Sequence, residues 1–483
     1  MPIPNTKQPP TSFREILKSL GPGLIISAGI VGSGELIVTT KLGAEQGFTL
    51  LWFIILGCFI KVFVQVELGR YAITQGKSTV DAMNSIPGPK ILGVRWLVWA
   101  WLLMFIATFF QLSGIVGSIA DVFNLSGKNI ADMIGVGDKV TGNTIWALVI
   151  TISCSVLLTI GRYKFIETFS TSMVALFTVF TIAAVISLFW TDYAITAANI
   201  AEGLSFKVPD KIVTAFAAFG VIGVGASELI YYPYWCLEKG YASNVGKKQP
   251  DENEESWNQR AEGWIKVLKI DAWVSLIIYT GATIAFYLLG AAVLHGSGSE
   301  VTDKTLAPML SKMYEESFGS SGLWIFIIGA FIVLYSTVFI STATNARLFA
   351  DIFRIFRFID PNNEDARKKV VWWTCLILPF FYLIVSLIFP NKPIGLVFAG
   401  AIAQALMLPF LAGAALYFHY AVTPKRLKPG LPWVSTLWIS AILMAIVGSY
   451  QFYDKAKGFA GSEKNLKSEE MELEIESKTD KQE

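Results

Sequence analysis

Two short stretches place a carboxylate inside apolar sequence. Residues 31–40 read VGSGELIVTT, and residues 224–233 read VGASELIYYP. Val31-Gly-Ser-Gly-Glu-Leu-Ile37 aligns with Val224-Gly-Ala-Ser-Glu-Leu-Ile230; five of the seven positions are identical, and the other two exchange small for small. A carboxylate at the centre of a bilayer costs roughly 2.5–3.5 kcal/mol even on the mild insertion scale. Two of them at matched positions ask for a partner, which an inorganic cation or a proton would supply. The small residues before each glutamate let a backbone leave helical geometry and present its carbonyls. Such backbone is tolerated at depth only where it lines a cavity or is buried in protein. The plainer alternative is that glycine and serine permit close helix packing and that matches of this length arise by chance. Where the motifs fall in the chain decides between the two.

The chain has 483 residues, 53% hydrophobic and 16% charged, where a soluble chain carries about a quarter charged residues. Apolar segments of spanning length recur near 22–46, 48–72, 96–123, 143–160, 165–190, 211–238, 264–294, 322–350, 370–389, 393–419 and 432–450. They are long and do not alternate, so the expected class is an all-α polytopic membrane protein of about eleven spans. The two motifs sit in the middle of spans 1 and 6. Spans 1–5 and 6–10 then form two repeats, and an odd number of spans per repeat inverts the second. That is the pattern of inverted-repeat secondary transporters, whose site lies at the midplane where broken helices meet. Residues 22–31 make about 15 Å of helix, half of a roughly 30 Å hydrocarbon core. Gly32, Ser33 and Gly34 are therefore expected to unwind near the midplane. Glu35 and Glu228 open the second half-helices, where the N-terminal dipole favours a carboxylate.

The expected organisation is a cytoplasmic N-terminal segment at 1–20, a first five-helix repeat at 21–190 and an extracellular connector at 191–210. A second, inverted repeat follows at 211–420, an eleventh helix at 431–450 and a charged tail at 454–483, solvated or forming a short surface helix. Lysine and arginine concentrate in the connections on the N-terminal side, which sets the N-terminus inside a plasma or inner membrane. The polar, proline-rich start MPIPNTKQPP has no signal-peptide pattern. Cys58, Cys154, Cys236 and Cys375 lie far apart and read as apolar packing. His295 and His419, at span ends, read as interfacial. GRYAITQGKST at 69–79 has Tyr71 where a phosphate loop needs glycine, so no nucleotide site is expected. No nucleophile–base set or cofactor motif points to an enzyme, and nothing points to nucleic acid or a protein partner.

At these residues the sequence resembles the Nramp family of divalent-metal transporters. GPGLIISAGIVGSGELIVTTKLGAEQGFTLLW is similar to that family's first helix and the start of its second. The likeness continues through QVELGRYAITQGKS, in span 6, and at AIAQALMLPF in span 10. The resemblance implies a LeuT-type five-plus-five inverted repeat with one additional helix. The departures fall on the chemistry. The family's Asp-Pro-Gly-Asn is here Gly32-Ser33-Gly34-Glu35, and its Met-Pro-His-Asn is here Gly225-Ala226-Ser227-Glu228. Met407 stands where the family has glutamine, with Gln404 a turn earlier. The histidine usual in the second half of the family's sixth helix falls at or near Tyr232, and span 3 lacks the acidic residues associated there with a proton route unless Asp121 serves.

What remains is oxygen chemistry: Glu35 and Glu228 as metal ligands, with backbone carbonyls and hydroxyls. It suits a hard ion such as Mg²⁺ or Mn²⁺ more than copper or zinc. The expected function is secondary transport of a divalent cation by alternating access, with proton, sodium or no coupling all open. The alternative on the same fold is a small organic solute carried without metal. Lys61, Gln65, Glu67, Arg70, Asn345, Arg347 and Asp351 read as structural, Arg70 snorkelling to the surface. Asp271 reads as the start of span 7. Thr39, Thr40, Tyr231 and Tyr232 are candidates to line a pathway.

Overall fold

The structure is a computed structural model that describes residues 6–126, 139–161, 163–209, 212–248, 252–295, 302 and 305–479. Among them nine helices are long and apolar enough to cross a membrane, and a bent pair in span 1 makes ten. Span 6 is two short helices, Val213–Phe219 and Ala226–Glu238, and completes the eleven expected.

Span 1 comprises Pro22–Ile30, a π-helical stretch Val31–Thr39, and Thr40–Gln46. It starts with proline in its first turn, where the missing N–H costs nothing. The other spans are Leu51–Gln75 (span 2), Trp96–Asn124 (3), Lys139–Ile160 (4), Tyr163–Ser187 (5) and Glu254–Leu289 (7). Gly322–Ile355 (8), Glu364–Ile388 (9), Pro393–Tyr417 (10) and Leu431–Thr479 (11) follow. A two-stranded hairpin, Lys90–Ile91 with Val94–Arg95, joins spans 2 and 3 through Leu92 and Gly93, both at positive φ.

Spans 2, 3, 7 and 8 are buried along most of their length, whereas spans 4, 5, 9 and 11 turn large apolar side chains outward. That division marks an inner bundle holding polar residues and an outer set suited to lipid. All four cysteines are buried and unpaired.

Four expectations are corrected. Span 7 begins at Glu254, capped by the Asn253 side chain, so Asp271 lies inside the helix. Its carboxylate instead accepts the amides of Gly21 (2.9 Å) and Gly23 (2.6 Å), capping span 1 across 250 residues of chain. Asp271→Ala leaves those buried donors unsatisfied and is expected to cost about 2 kcal/mol, read as a lowered Tm of purified protein. Arg70 does not snorkel; it is 2% exposed and ion-paired to Glu67 at 3.0 Å. His419 is buried with its Nδ1 3.8 Å from Glu67, not interfacial. The tail does not form a separate element: the eleventh helix continues to Thr479 because no proline follows Pro432 to stop it.

Candidate functional site at the crossing of spans 1 and 6

The two glutamate motifs meet in space. Helical hydrogen bonding in span 6 stops at Phe219 and resumes at Ala226, with Gly223 at φ +61° between them. Span 1 bends by 42° at the matching place. A Cβ on Gly34 would lie 2.7 Å from the Val221 carbonyl oxygen, so glycine is what lets the two backbones touch.

The two breaks differ in kind. Span 6 unwinds as expected, and Glu228 sits in the first turn of its second half-helix. Gly225 is the N-cap in extended geometry. A Cβ there would fall 2.6 Å from Glu228 Oε2 and 2.7 Å from Gln404 Oε1. Span 1 does not unwind. Residues 31–39 keep helical bonding in π register, so Glu35 lies inside a helix and not at the start of one. Neighbouring hydroxyls take the polar groups that unwinding would have released. Thr39 Oγ1 donates to the Gly34 carbonyl (2.8 Å) and Thr40 Oγ1 to that of Glu35 (3.5 Å). The Gly32 amide donates to Thr337 Oγ1 of span 8 at 3.0 Å. Gly32 is thus a packing contact, and Thr39 and Thr40 are buried and bonded to their own helix.

Glu35 crosses to span 6. Its Oε1 accepts the Gly223 amide (3.0 Å) and the Thr283 hydroxyl of span 7 (2.9 Å). Its Oε2 is buried with no hydrogen-bond partner. Glu228 is 9% exposed and lies within electrostatic reach of Glu35. Gln404 of span 10 accepts the Ser227 amide at 2.9 Å and donates from Nε2 to Gln111 of span 3 at 2.9 Å. Span 10 therefore caps the second half of span 6 with a neutral amide.

Lys61 of span 2, expected to be structural, belongs to this site. It is fully buried, and its Nζ donates to the carbonyls of Ile222 (2.6 Å) and Phe219, with the Phe219 ring 4.3 Å away. Its ammonium acts on both Glu35 and Glu228. A lysine within FIILGCFIKVFVQVEL was the available signal, since an ion at that depth is functional by default. Thr283 and Gln111 carried no signal in their local sequence.

Other candidates lie elsewhere. Tyr232 is buried with its hydroxyl on the Leu268 carbonyl of span 7, 3.0 Å away. Asp121 accepts from Asn143 at 2.8 Å and lines a small cavity with Leu36, Ile37 and Ile394, beyond the break. Met407 is buried on span 10 about one turn past Gln404. Ala226 is buried in the first turn after the break. Ser33 belongs to the π stretch.

Below the break, span 6 is tied to span 8. Tyr231 donates to Asn345 at 2.6 Å, Tyr234 to Asp351, and Arg347 pairs with Glu238 at 3.1 Å. These contacts hold the two helices together in the half of the bundle that contains the start of span 1.

A broken span 6, a bent span 1 and inward carboxylates at their crossing are the features of a membrane protein of the LeuT-type inverted-repeat fold with an additional helix. The family model described as Nramp, natural resistance-associated macrophage protein-like, matches residues 23–454, and the chain belongs to that family. It is 25% identical over 292 residues to the divalent metal cation transporter MntH of Staphylococcus saprophyticus subsp. saprophyticus. That match covers 59% of this chain and 58% of the relative, so the chain spans little more than half the length of that relative. The fold is similar to that of a mutant of the Eremococcus coleocola manganese transporter, with TM-score 0.67, 13% identity, and 95% and 91% of the two chains covered. It is also similar to MhsT in complex with L-phenylalanine, with TM-score 0.53, 16% identity, and 91% and 99% covered.

Proposed function

We propose that this protein is a secondary transporter of a divalent metal cation, working by alternating access around the crossing of spans 1 and 6. The observation that carries the reading is the unpartnered, buried Oε2 of Glu35, with Glu228 in electrostatic reach. A buried carboxylate oxygen without a donor is costly, and a cation supplies what it lacks. The relatives described as divalent metal cation transporters support the same class of substrate. Glu35 and Glu228 would be the ligands, with the Gln404 amide and span 6 carbonyls nearby. These oxygen donors favour a hard ion such as Mg²⁺ or Mn²⁺. Gly34 and Gly225 let the backbones approach, and Gln404 positions Ser227. Asp121 and Tyr232 remain candidates for the route to the site rather than ligands. The N-terminus lies in the cytoplasm of a multi-pass cell-membrane protein.

A second reading has one observation in its favour. No group of three or more histidine, cysteine or acidic side chains among the described residues is placed to hold a metal. A small organic solute, carried without metal, would fit a site whose charge is already partly balanced by Lys61. Uptake of Mg²⁺, Mn²⁺ and Ca²⁺ into proteoliposomes separates the two. Uptake of any of them that depends on Glu35 and Glu228 supports the metal. Folded protein that moves none turns the reading to the organic solute.

A further inference from the structure

Lys61 places a cation at the break itself. The first half of span 6 ends at Phe219, where the helix dipole presents its negative end. The carbonyls of Phe219 and Ile222 are released there by unwinding, and both point to the Lys61 ammonium. In broken-helix transporters, unwound carbonyls and half-helix C-terminal ends are where a small cation is coordinated. Here the position is filled from span 2 by a side chain that is fully buried. Two carbonyl oxygens, an aromatic face at 4.3 Å and the charges of Glu35 and Glu228 make a monovalent-cation environment. The Cys58 thiol, one turn back on the same span, is the remaining titratable group in electrostatic reach.

We infer that Lys61 is a tethered monovalent cation, occupying a subsite that would otherwise take a free sodium ion or a small primary ammonium. Carried by the chain, that ammonium cannot diffuse out of the break during the transport cycle. The substrate therefore meets the two carboxyl groups of Glu35 and Glu228 together with one ammonium fixed to the chain. A free monovalent ion has no place to bind at this break. The inference rests on reading the break as a cation site, and not on which solute is carried.

The test uses thermal stability of the purified full chain, with no divalent ion present. Ionic strength is held with tetramethylammonium chloride, which is too bulky and has no N–H to donate. It is then replaced stepwise by sodium, lithium or ethylammonium chloride. Lys61→Ala should be less stable than wild type in tetramethylammonium. It should regain about 4 °C in Tm over a hundredfold range of at least one small cation, while wild type shifts by under about 1 °C. A variant indifferent to every cation, or a wild type that responds as strongly, overturns the inference.

Lys61→Gln removes the charge and keeps a hydrogen-bond donor, on a side chain one bond shorter than the lysine that reaches the two carbonyls. It should show the same cation response as the alanine variant, and it carries the test if Lys61→Ala does not fold. Wild-type stability in Lys61→Gln without any small cation would make the lysine a hydrogen-bond donor only. Failure of both variants to fold in every cation would also overturn it, since a free ion should then replace the tether. Absence of divalent-metal uptake by wild type leaves these melting curves unaffected, so the two readings fail separately.

Discussion

Glu35→Gln is expected to lower divalent-metal uptake into proteoliposomes by at least about a hundredfold, with the protein still folded. The substitution is close to isosteric. Glu35 accepts both of its hydrogen bonds, from the Gly223 amide and the Thr283 hydroxyl, on Oε1. A glutamine oxygen in that place accepts them equally well, and its NH₂ falls where Oε2 now has no donor. The fold thus keeps both hydrogen bonds, and the site loses one negative charge. Two unit charges 4 Å apart interact by about 4 kcal/mol at the effective dielectric typical of proteins. A divalent ion doubles that, so retaining even a third of it separates the variant from wild type by about two decades. Glu228→Gln should act in the same direction. Uptake by Glu35→Gln at the wild-type rate, with an unchanged melting temperature, would remove Glu35 from the ligand set.

The largest expected loss of stability lies outside the site, at Glu67→Ala. Glu67 and Arg70 are 1% and 2% exposed on the last turns of span 2. Glu67 also accepts the Trp433 indole at 2.9 Å, and Arg70 donates to the Leu427 carbonyl at 2.8 Å. The pair thereby fastens the start of span 11 to the inner bundle. Removing the carboxylate strands a buried guanidinium and an indole N–H. Breaking a buried pair from one side costs about 3–5 kcal/mol, a fall in Tm of about 5–10 °C. Glu67→Gln keeps an acceptor for Trp433 and should fall between the two. A Glu67→Ala protein that melts with wild type would show that water reaches Arg70.

What could be read in advance divides along a physical line. The eleven spans were legible because spanning length and apolar content are local properties of the chain. Glu35 and Glu228 were legible as a pair because the motif is written twice. The contacts of their partner were not, although its depth in span 2 was. Lys61 bonds to main-chain carbonyls more than 150 residues away, and a carbonyl carries no residue identity that a sequence could display. Asp271 was misplaced for the same reason: the amides it caps belong to glycines 250 and 248 residues earlier. The π register of span 1 was hidden differently. Apart from Glu35, residues 31–39 are apolar or small, so no stripe distinguishes one helical register from another. Arg70 was within reach of inspection, because Glu67 precedes it by three residues on one helical face. Its burial depended on Trp433 and Leu427, which only the folded chain brings up.

The four buried cysteines have a practical consequence. A thiol reagent dissolved in water should leave the resting protein unlabelled without any residue being removed. Cys58 is the informative one, because its sulfur lies 2.9 Å from where a side chain on Gly223 would begin. It is shielded by the very stretch of span 6 that must move if the crossing opens. Maleimide incorporation at Cys58, followed by mass analysis of the peptide that carries it, is thus a clock for that opening in an unaltered chain. It should run slowly at rest and faster under turnover conditions, giving a rate for the moving part where uptake reports only the cargo.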